Sequence, residues 1–277
     1  MVDLHIHTSN SDGTYTTNEI IEKLKKLKIK LFSITDHDDI TSCKEMEEIF
    51  LPEDMIYIPG IEFSAMHNNY NCHILGYNID YKNEALIAEC NLIKARRKIK
   101  IIKVLEYIRD NFGILTEEEE KKILNKKGTI GRYDICEILK KKEENQGLKR
   151  NEIYDKYLTP KGGLKVHRSD SKRIIEVIHE AGGIAVLAHP REVEDDYQID
   201  IEKFIESLIE EGLDGIEKYN SIHTLEDVKR YLEIAKKHNL FTTGGSDFHG
   251  TNKPKILLGT TTREHIKIKE KDIFFLY

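Results

Sequence analysis

Short apolar segments in this chain repeatedly end in histidine or carboxylate side chains, and helical patterns separate those segments. One segment over residues 31–35 leads into His37, and another over residues 184–188 leads into His189. Repeated strand–helix units of this kind predict a parallel α/β arrangement. Because functional groups of an α/β barrel lie at the carboxyl ends of its strands, we expect these polar side chains to meet at one end of the fold.

The amino-terminal strand carries two histidines, His5 and His7, at alternate positions. Side chains alternate along a strand, so both imidazoles project from the same face. Neighbouring imidazolium ions repel each other, and the pair is better explained as neutral nitrogen ligands of a metal, with the carboxylate of Asp12 close by. A short strand with two exposed histidines explains this motif alone equally well, but similar donors recur along the chain.

Nine side chains share this placement near predicted strands, and they comprise six imidazoles and three carboxylates. They are His5, His7, Asp12, His37, Glu62, His73, His189, Asp247 and His249. Gathering so many donors would cost repulsion and desolvation unless cations were bound between them. The set exceeds what one ion needs, so we expect two or three divalent ions. None of the nine donors is a cysteine, which favours Mn²⁺, Fe²⁺ or Zn²⁺ over softer ions.

The middle of the chain differs from the rest, because helical patterns follow one another without a strand. Residues 84–164 hold 19 Lys and Arg against 14 Asp and Glu, although the whole chain has a net charge of −6. We therefore predict a barrel domain from residues 1–83 and 165–277, with residues 84–164 as a small α-helical insertion that covers the active site. The basic balance of the insertion is consistent with attraction of an anion, although lysine-rich helices are also ordinary solvated faces.

The composition is that of a soluble globular protein. No apolar run approaches the ~20 residues needed to span a bilayer, and the amino terminus lacks the pattern of a secretory signal. The four cysteines show no spacing typical of a disulfide framework. We expect a cytoplasmic protein that does not bind a membrane.

The motifs together resemble the PHP (polymerase and histidinol phosphatase) family of metallophosphoesterases over nearly the whole chain. Within that family, the chain is most similar to the stand-alone branch with a helical insertion, which includes a 3′,5′-nucleotide bisphosphate phosphatase and a 5′-to-3′ oligoribonuclease. The matching segments are Asp3-Leu4-His5-Ile6-His7 with Asp12, Thr35-Asp36-His37, Pro59-Gly60-Ile61-Glu62, Cys72-His73-Ile74-Leu75-Gly76, Ala188-His189-Pro190 and Gly245-Ser246-Asp247-Phe248-His249.

The resemblance implies an α/β fold, a distorted (β/α)7 TIM-like barrel, with a trinuclear metal centre. By analogy, Glu62 would bridge the first two metals. The remaining ligands would be His5, His7 and Asp247 for the first metal, His73 and His189 for the second, and Asp12, His37 and His249 for the third.

The resemblance also implies a hydrolase that attacks a phosphate ester with a metal-bridging hydroxide. The expected substrate is a phosphorylated small molecule, such as a 3′,5′-bisphosphonucleotide, or the 5′ end of short single-stranded RNA. Duplex nucleic acid is not expected, because no sustained basic and aromatic stripe is present. Arg132 and Arg191 are candidates for binding phosphate, since a guanidinium matches its oxygens, and His223 is a candidate for a second phosphate or the leaving group.

Three alternatives remain at this point. A histidinol-phosphate-type phosphomonoesterase shares the barrel, but the insertion and the segment around His223 argue against it. A metal-dependent amidohydrolase would use similar ligands at a carbonyl centre. A non-enzymatic metal-holding domain would tolerate loss of ligands, whereas all nine are present.

Overall fold

The computed structural model of the protein describes residues 1–158 and 168–273. Backbone contacts divide the chain into a larger unit, Met1–Cys90 with Arg168–Tyr277, and a smaller unit, Asn91–His167. The predicted insertion began at residue 84, which is the first residue of a helix whose first turns pack with the larger unit. Its predicted end at residue 164 lies outside the described residues.

The described residues of the larger unit contain nine short strands. Their bounds are β1 Val2–Asp3, β2 Leu31–Phe32, β3 Ile56–Tyr57, β4 Gly60–His67, β5 Tyr70–Tyr77, β6 Ser169–Asp170, β7 Ile184–Leu187, β8 Gly215–Tyr219 and β9 Phe241–Gly244.

These strands form two sheets rather than a closed barrel in the described residues. The first sheet is parallel with the order β1-β2-β3, and the second has the order β6-β4-β5-β7-β8-β9. Two isolated parallel bridges connect the sheets, one between Ile6 and Phe248 and one between His37 and Glu62. Each bridge joins a segment that follows a strand of the first sheet to a segment in or after a strand of the second. The α/β class is therefore confirmed.

The expectation of uniformly parallel strands is wrong at β5. This strand pairs antiparallel with both β4 and β7, because the two-residue turn at Asn68 and Asn69 reverses the chain directly after β4. Both asparagines have positive φ values, 49° and 69°, a conformation that asparagine tolerates better than most residues. His73 therefore lies in the middle of β5 rather than at the carboxyl end of a parallel strand, and Glu62 is the third residue of β4.

The described helices follow the sequence patterns closely, with ends that shift by a few residues. Their bounds are α1 Thr17–Leu27, α2 Thr41–Glu45, α3 Glu84–Phe112, α4 Glu117–Leu124, α5 Arg132–Leu139, α6 Arg150–Ile153, α7 Ser171–Glu180, α8 Pro190–Tyr197, α9 Ile201–Glu210 and α10 Leu225–His238. None of them combines the length and apolar character that crossing a bilayer would require.

Side-chain caps explain where several of these helices begin. Thr16, Thr116 and Thr224 each accept a hydrogen bond from the backbone N–H three residues later, and the acidic residue there bonds back to the threonine N–H. These reciprocal capping boxes satisfy N–H groups that a helix start leaves unpaired. The α8 helix was not anticipated, although Pro190 at its first position is a typical helix start.

Each unit has its own apolar core. In the larger unit, Ile20 and Leu24 of α1 pack with Phe32 of β2 in one buried cluster. In the smaller unit, Val104 and Ile108 of α3 lie in a separate buried cluster with residues of α4, α5 and α6. The larger unit alone carries all nine predicted metal ligands.

Candidate metal centre

The two isolated bridges explain how distant segments bring their donors together. Residues on either side of a bridged residue point together to the opposite face of the strand. The bridge between Ile6 and Phe248 therefore places two pairs of flanking residues side by side, while the second bridge pairs His37 directly with Glu62. The flanking residues are His5, His7, Asp247 and His249.

The first group of donors forms around the amino-terminal histidines. Nε2 of His5 lies 3.1 Å from Nε2 of His7. Oε2 of Glu62 lies 3.3 Å and 3.2 Å from these two nitrogens, and Oδ1 of Asp247 lies 3.6 Å and 3.3 Å from them. Four donors on three different segments thus face one small region.

The second group lies on the other oxygen of the same glutamate. Oε1 of Glu62 is 3.1 Å from Nδ1 of His73 and 3.0 Å from Nε2 of His189, and those two nitrogens are 3.3 Å apart. Glu62 and His73 share a face of the β4–β5 hairpin as diagonal neighbours. One carboxylate therefore contacts both groups, one oxygen to each.

The third group surrounds Asp12. Oδ1 of Asp12 is 3.1 Å from Nε2 of His249, and its Oδ2 is 3.9 Å from Nε2 of His37. His7 joins this group through its second nitrogen, which is 3.8 Å from Oδ1 of Asp12. All nine residues predicted from the sequence are therefore adjacent, and His7, His37 and Glu62 connect the groups.

The arrangement fits divalent cations better than a hydrogen-bonded core. Oδ1 of Asp12, Oε2 of Glu62 and Nδ1 of His37 are buried and make no hydrogen bond. Nδ1 of His5 donates to Glu217 at 2.9 Å, so a neutral His5 directs the lone pair of Nε2 towards His7. Buried acceptors that face one another without donors are costly, and a cation held among them removes that cost.

Burial keeps two of the histidines neutral. It lowers the pKa of His73 and of His249 to about 4. The nearby carboxylates Glu62 and Asp12 act to raise these pKa values, but burial outweighs them. Nδ1 of His249 donates to the carbonyl oxygen of Asp247 at 2.8 Å, which directs the Nε2 lone pair to Asp12. Neutral imidazoles with a fixed orientation are the form that binds metals.

The carboxylates favour positive charge at the centre of the cluster. Burial acts to lower the pKa of His7, but Asp247, Glu62 and Asp12 outweigh it and raise that pKa to about 9. Burial likewise acts to raise the pKa of Glu62, and the histidines His37 and His5 reverse this and hold it well below its usual range. The negative charge of these carboxylates favours a proton on His7, and a divalent cation bound there would take the place of that proton.

A buried aspartate, Asp3, fastens the carboxyl end of β9 beside β1. Its side chain accepts hydrogen bonds from the backbone N–H and hydroxyl of Ser246 at 2.8 Å and 2.7 Å and from the N–H of Gly259 at 2.8 Å. The close approach also depends on Gly245, where a Cβ atom would lie 2.3 Å from the backbone nitrogen of His5. Burial raises the pKa of Asp3 to about 6.

A second buried aspartate, Asp36, holds the loop that presents Asp12. It accepts hydrogen bonds from the backbone N–H of Thr8 at 2.7 Å, from the hydroxyl of Thr8 at 2.6 Å and from Ser11 at 2.5 Å, and Ser42 also donates to it. Asp3 and Asp36 belong to the motifs quoted above, but their structural role became visible only in the folded chain.

The predicted substrate residues have other partners in this structure. Nε of Arg191 donates to Asp195 at 2.8 Å, and Nη1 donates to Asp227 at 3.1 Å. A phosphate would have to compete with both carboxylates for this guanidinium. Arg132 belongs to the smaller unit, where its guanidinium lies 5.4 Å from the ring centre of Tyr154.

His223 is enclosed completely by protein. Its exposed fraction is 0 %, its Nδ1 donates to the carbonyl oxygen of Lys218 at 3.0 Å, and its ring packs on Tyr231. A substrate would therefore reach this imidazole only after the surrounding residues moved. In contrast, Lys253 is 40 % exposed and its Nζ lies 2.7 Å from Oδ2 of Asp247, so it adds an accessible cation beside the cluster.

The burial of His223 predicts a measurable pH dependence of stability. Burial lowers its pKa to about 4, below the value of 6.5 for an exposed histidine. The unfolded chain therefore binds more protons between these values, and stability falls as the pH drops through 6.5 towards 4. At pH 5 we expect a loss of about 2 kcal/mol from this residue. Denaturant unfolding of the metal-free protein at pH 7.5 and pH 5 measures the total loss. It should be about 2 kcal/mol smaller in the His223→Gln variant, in which His73 and His249 still contribute.

The family of the chain follows from comparison with known sequences. The model of the PHP domain family matches residues 3–241, which include seven of the nine clustered donors. The other two, Asp247 and His249, follow the end of the match. The chain belongs to the PHP domain family.

Curated relatives of this PHP domain protein are enzymes that act on phosphate esters. A phosphoribosyl 1,2-cyclic phosphate 1,2-diphosphodiesterase of Eggerthella lenta is 29 % identical over 90 % of this chain and 94 % of its own. A 3′,5′-nucleoside bisphosphate phosphatase of Chromobacterium violaceum is 28 % identical over 90 % of this chain and 87 % of its own. The 5′-3′ exoribonuclease Rnm of Escherichia coli is 26 % identical over 89 % of this chain and 84 % of its own. The predicted phosphoester hydrolase class is therefore confirmed.

Two solved structures share the fold of this PHP domain protein over almost its full length. A candidate metal-dependent phosphoesterase from Bifidobacterium adolescentis superposes with a TM-score of 0.81 and 25 % identity over 98 % of this chain and 97 % of that one. A protein of Chromobacterium violaceum described as an amidohydrolase, with bound sulfate and no metal, superposes with a TM-score of 0.80. The two sequences are 26 % identical, and the match covers 94 % of this chain and 90 % of that one.

Proposed function

We propose that this protein is a divalent-metal-dependent phosphoesterase that acts on a small nucleotide or on the 5′ end of short RNA. The observation that carries the proposal is the position of Glu62, whose two oxygens each lie within 3.3 Å of imidazole nitrogens from different donor groups. This shared carboxylate suits neighbouring cations, as in sites that clamp a phosphoryl group between two ions.

The residues of the chain would hold the ions as three connected sets. The proposed sets are His5, His7, Glu62 and Asp247; Glu62, His73 and His189; and Asp12, His37 and His249. When bound, Mn²⁺, Fe²⁺ or Zn²⁺ would polarise a phosphoryl oxygen and lower the pKa of water. The protein's contribution is to fix the donors, to keep His73 and His249 neutral, and to attract an anionic substrate through Lys253 at the edge of the cluster.

Substrate choice is supported by the relatives rather than by a pocket of this chain. The bisphosphate phosphatase and the exoribonuclease support a nucleotide or a short single strand as the substrate. A 1,2-cyclic phosphate diester is a second candidate, because the cyclic phosphate diesterase is the relative with 29 % identity. Arg132, Arg191 and His223 stay predicted contacts for phosphate.

Three further assignments belong to the same proposal. The two sheets would be segments of a distorted (β/α)7 barrel, joined where the single bridges at His37 and Ile6 lie. The smaller helical unit would serve as the cover of the active site. A cytoplasmic location is supported by the four cysteines, all of them buried free thiols.

A panel of substrates with Mn²⁺ tests the proposed function. It compares 3′,5′-bisphosphonucleotides, short 5′-phosphorylated RNAs, a ribose 1,2-cyclic phosphate, histidinol phosphate, aryl phosphates and simple amides. We expect bisphosphonucleotides or RNA ends to give the highest kcat/KM, and each rate to disappear when a chelator removes the metal. Preferred hydrolysis of amides, or phosphoester hydrolysis that persists without metal, would contradict the proposal. Preference for histidinol phosphate would favour the phosphomonoesterase alternative.

A further inference from the structure

A buried carboxylate outside the nine donors contacts two of them at once. Glu217 lies in β8 and has an exposed fraction of 0 %. Its Oε1 accepts a hydrogen bond from Nδ1 of His5 at 2.9 Å. Its Oε2 accepts hydrogen bonds from the backbone N–H of His189 at 2.8 Å and from Nδ2 of Asn220 at 2.9 Å. Neither the sequence motifs nor the family match assigns a role to this residue.

The contact with His5 determines which nitrogen of that ring faces the cluster. A carboxylate can only accept, so Nδ1 of His5 carries the proton and Nε2 presents its lone pair towards His7 and Glu62. An imidazole that donates its second N–H to a carboxylate is held in one orientation and is a more basic ligand.

The contact with His189 acts on the backbone instead. His189 has a φ of 28° and a ψ of 61°, a conformation that residues other than glycine rarely adopt. It lies between β7 and α8, where this turn directs the ring towards Glu62 and His73. Such strained conformations persist only when surrounding contacts hold them, and the hydrogen bond from the His189 N–H to Glu217 is one of those contacts.

We infer that Glu217 is a positioning residue that sets the spacing between the first and second metal sites by holding His5 and His189 from one carboxylate. The inference rests on the proposed metal centre. Both contacts run to ligands of these two sites, whereas none of the hydrogen bonds of Glu217 runs to the donors of the third set, Asp12, His37 and His249. Loss of Glu217 should therefore weaken two sites and spare the third.

Glutamine at position 217 keeps the shape but cannot keep the hydrogen bonds. Three N–H donors face the carboxylate, and a glutamine offers one acceptor oxygen together with an amide that donates. If the amide faces His5, the ring must accept at Nδ1 and place its proton on Nε2, where a metal ligand needs a lone pair. If the amide faces His189, two N–H groups oppose each other beside the strained turn.

The experiment is a titration of metal-free protein with Mn²⁺, in which free Mn²⁺ is measured by its electron paramagnetic resonance signal without substrate. It compares the wild-type protein, Glu217→Gln and the control Glu89→Gln. Glu89 is another carboxylate of the larger unit, 6 % exposed, which accepts a hydrogen bond from Ser169. We expect Glu217→Gln to weaken two classes of site by about 10- to 100-fold and to leave one class unchanged. The control should bind as the wild-type protein does.

Each outcome of the titration has a definite meaning. Absence of Mn²⁺ binding by the wild-type protein overturns the metal centre itself, and therefore the proposed function. Normal wild-type binding with unchanged affinity in Glu217→Gln overturns only the positioning role, as does an equal loss at every site. Circular dichroism of the metal-free proteins checks folding. If Glu217→Gln does not fold, Glu217→Asp, which keeps the charge on a shorter side chain, is judged by the same criteria.

Discussion

Glu62→Gln is expected to lower kcat/KM for the best phosphoester substrate by about 1,000-fold or more. In the wild-type protein, each of the two donor groups contacts one carboxylate oxygen of Glu62. Glutamine keeps the size of the side chain, but its neutral amide offers a single acceptor oxygen for both groups. Metal ions contribute several kcal/mol to such reactions, and each 1.36 kcal/mol corresponds to a tenfold change in rate. Steady-state kinetics at saturating Mn²⁺ measures the loss, and Mn²⁺ titration should show weaker binding in both groups that share Glu62.

A buried glutamate elsewhere in the same unit provides the control for this variant. Glu89→Gln removes a negative charge that is hydrogen-bonded to Ser169 and touches none of the donors described above. It should retain the wild-type kcat/KM within about twofold. If Glu62→Gln keeps more than a tenth of the wild-type rate while Mn²⁺ binding is normal, the shared carboxylate is not required and the proposed centre is wrong.

The ligand set could be read from the sequence because its members are polar residues in unusual places. Donors such as His37 and His189 follow short apolar segments within one or two residues, and such a pattern has few explanations other than a shared site. Their convergence then follows from chain direction, since parallel strands bring their carboxyl ends together. The structure brings all nine side chains to within hydrogen-bonding or ion-pairing distance of at least one other member.

Other features could not be read from the sequence because they depend on contacts between distant segments. The reversal of β5 arises at Asn68 and Asn69, and nothing in the apolar pattern of the strand distinguishes parallel from antiparallel pairing. Glu217 looks like one charged residue of an amphipathic strand. Its contact with the metal ligands becomes apparent only in the folded chain, where β8 pairs with β7 and the carboxylate of Glu217 reaches both His5 and His189.

Removal of the metal is expected to lower the stability of the larger unit by several kcal/mol. A ligand that binds only the folded state stabilises it by about 2.7 kcal/mol at a concentration 100 times its dissociation constant. Two or three such sites would add about 5 to 8 kcal/mol. For a unit of this size each kcal/mol moves the midpoint by about 2 to 4 °C, so calorimetry should show a rise of about 10 °C or more with Mn²⁺.

The location of that stabilisation separates a specific centre from general binding of cations to acidic surface groups. Hydrogen exchange should slow in peptides that cover residues 184–189 and 241–249, which carry His189 and Asp247 at the ends of β7 and β9. Peptides over residues 116–140 belong to the smaller unit and carry none of the nine donors, so they serve as an internal control. The rise of the unfolding midpoint with Mn²⁺ should be much smaller in Glu62→Gln, because this carboxylate contacts two donor groups. A shift of equal size in that variant, or slower exchange spread over both units, would show that Mn²⁺ stabilises the protein without using the clustered donors.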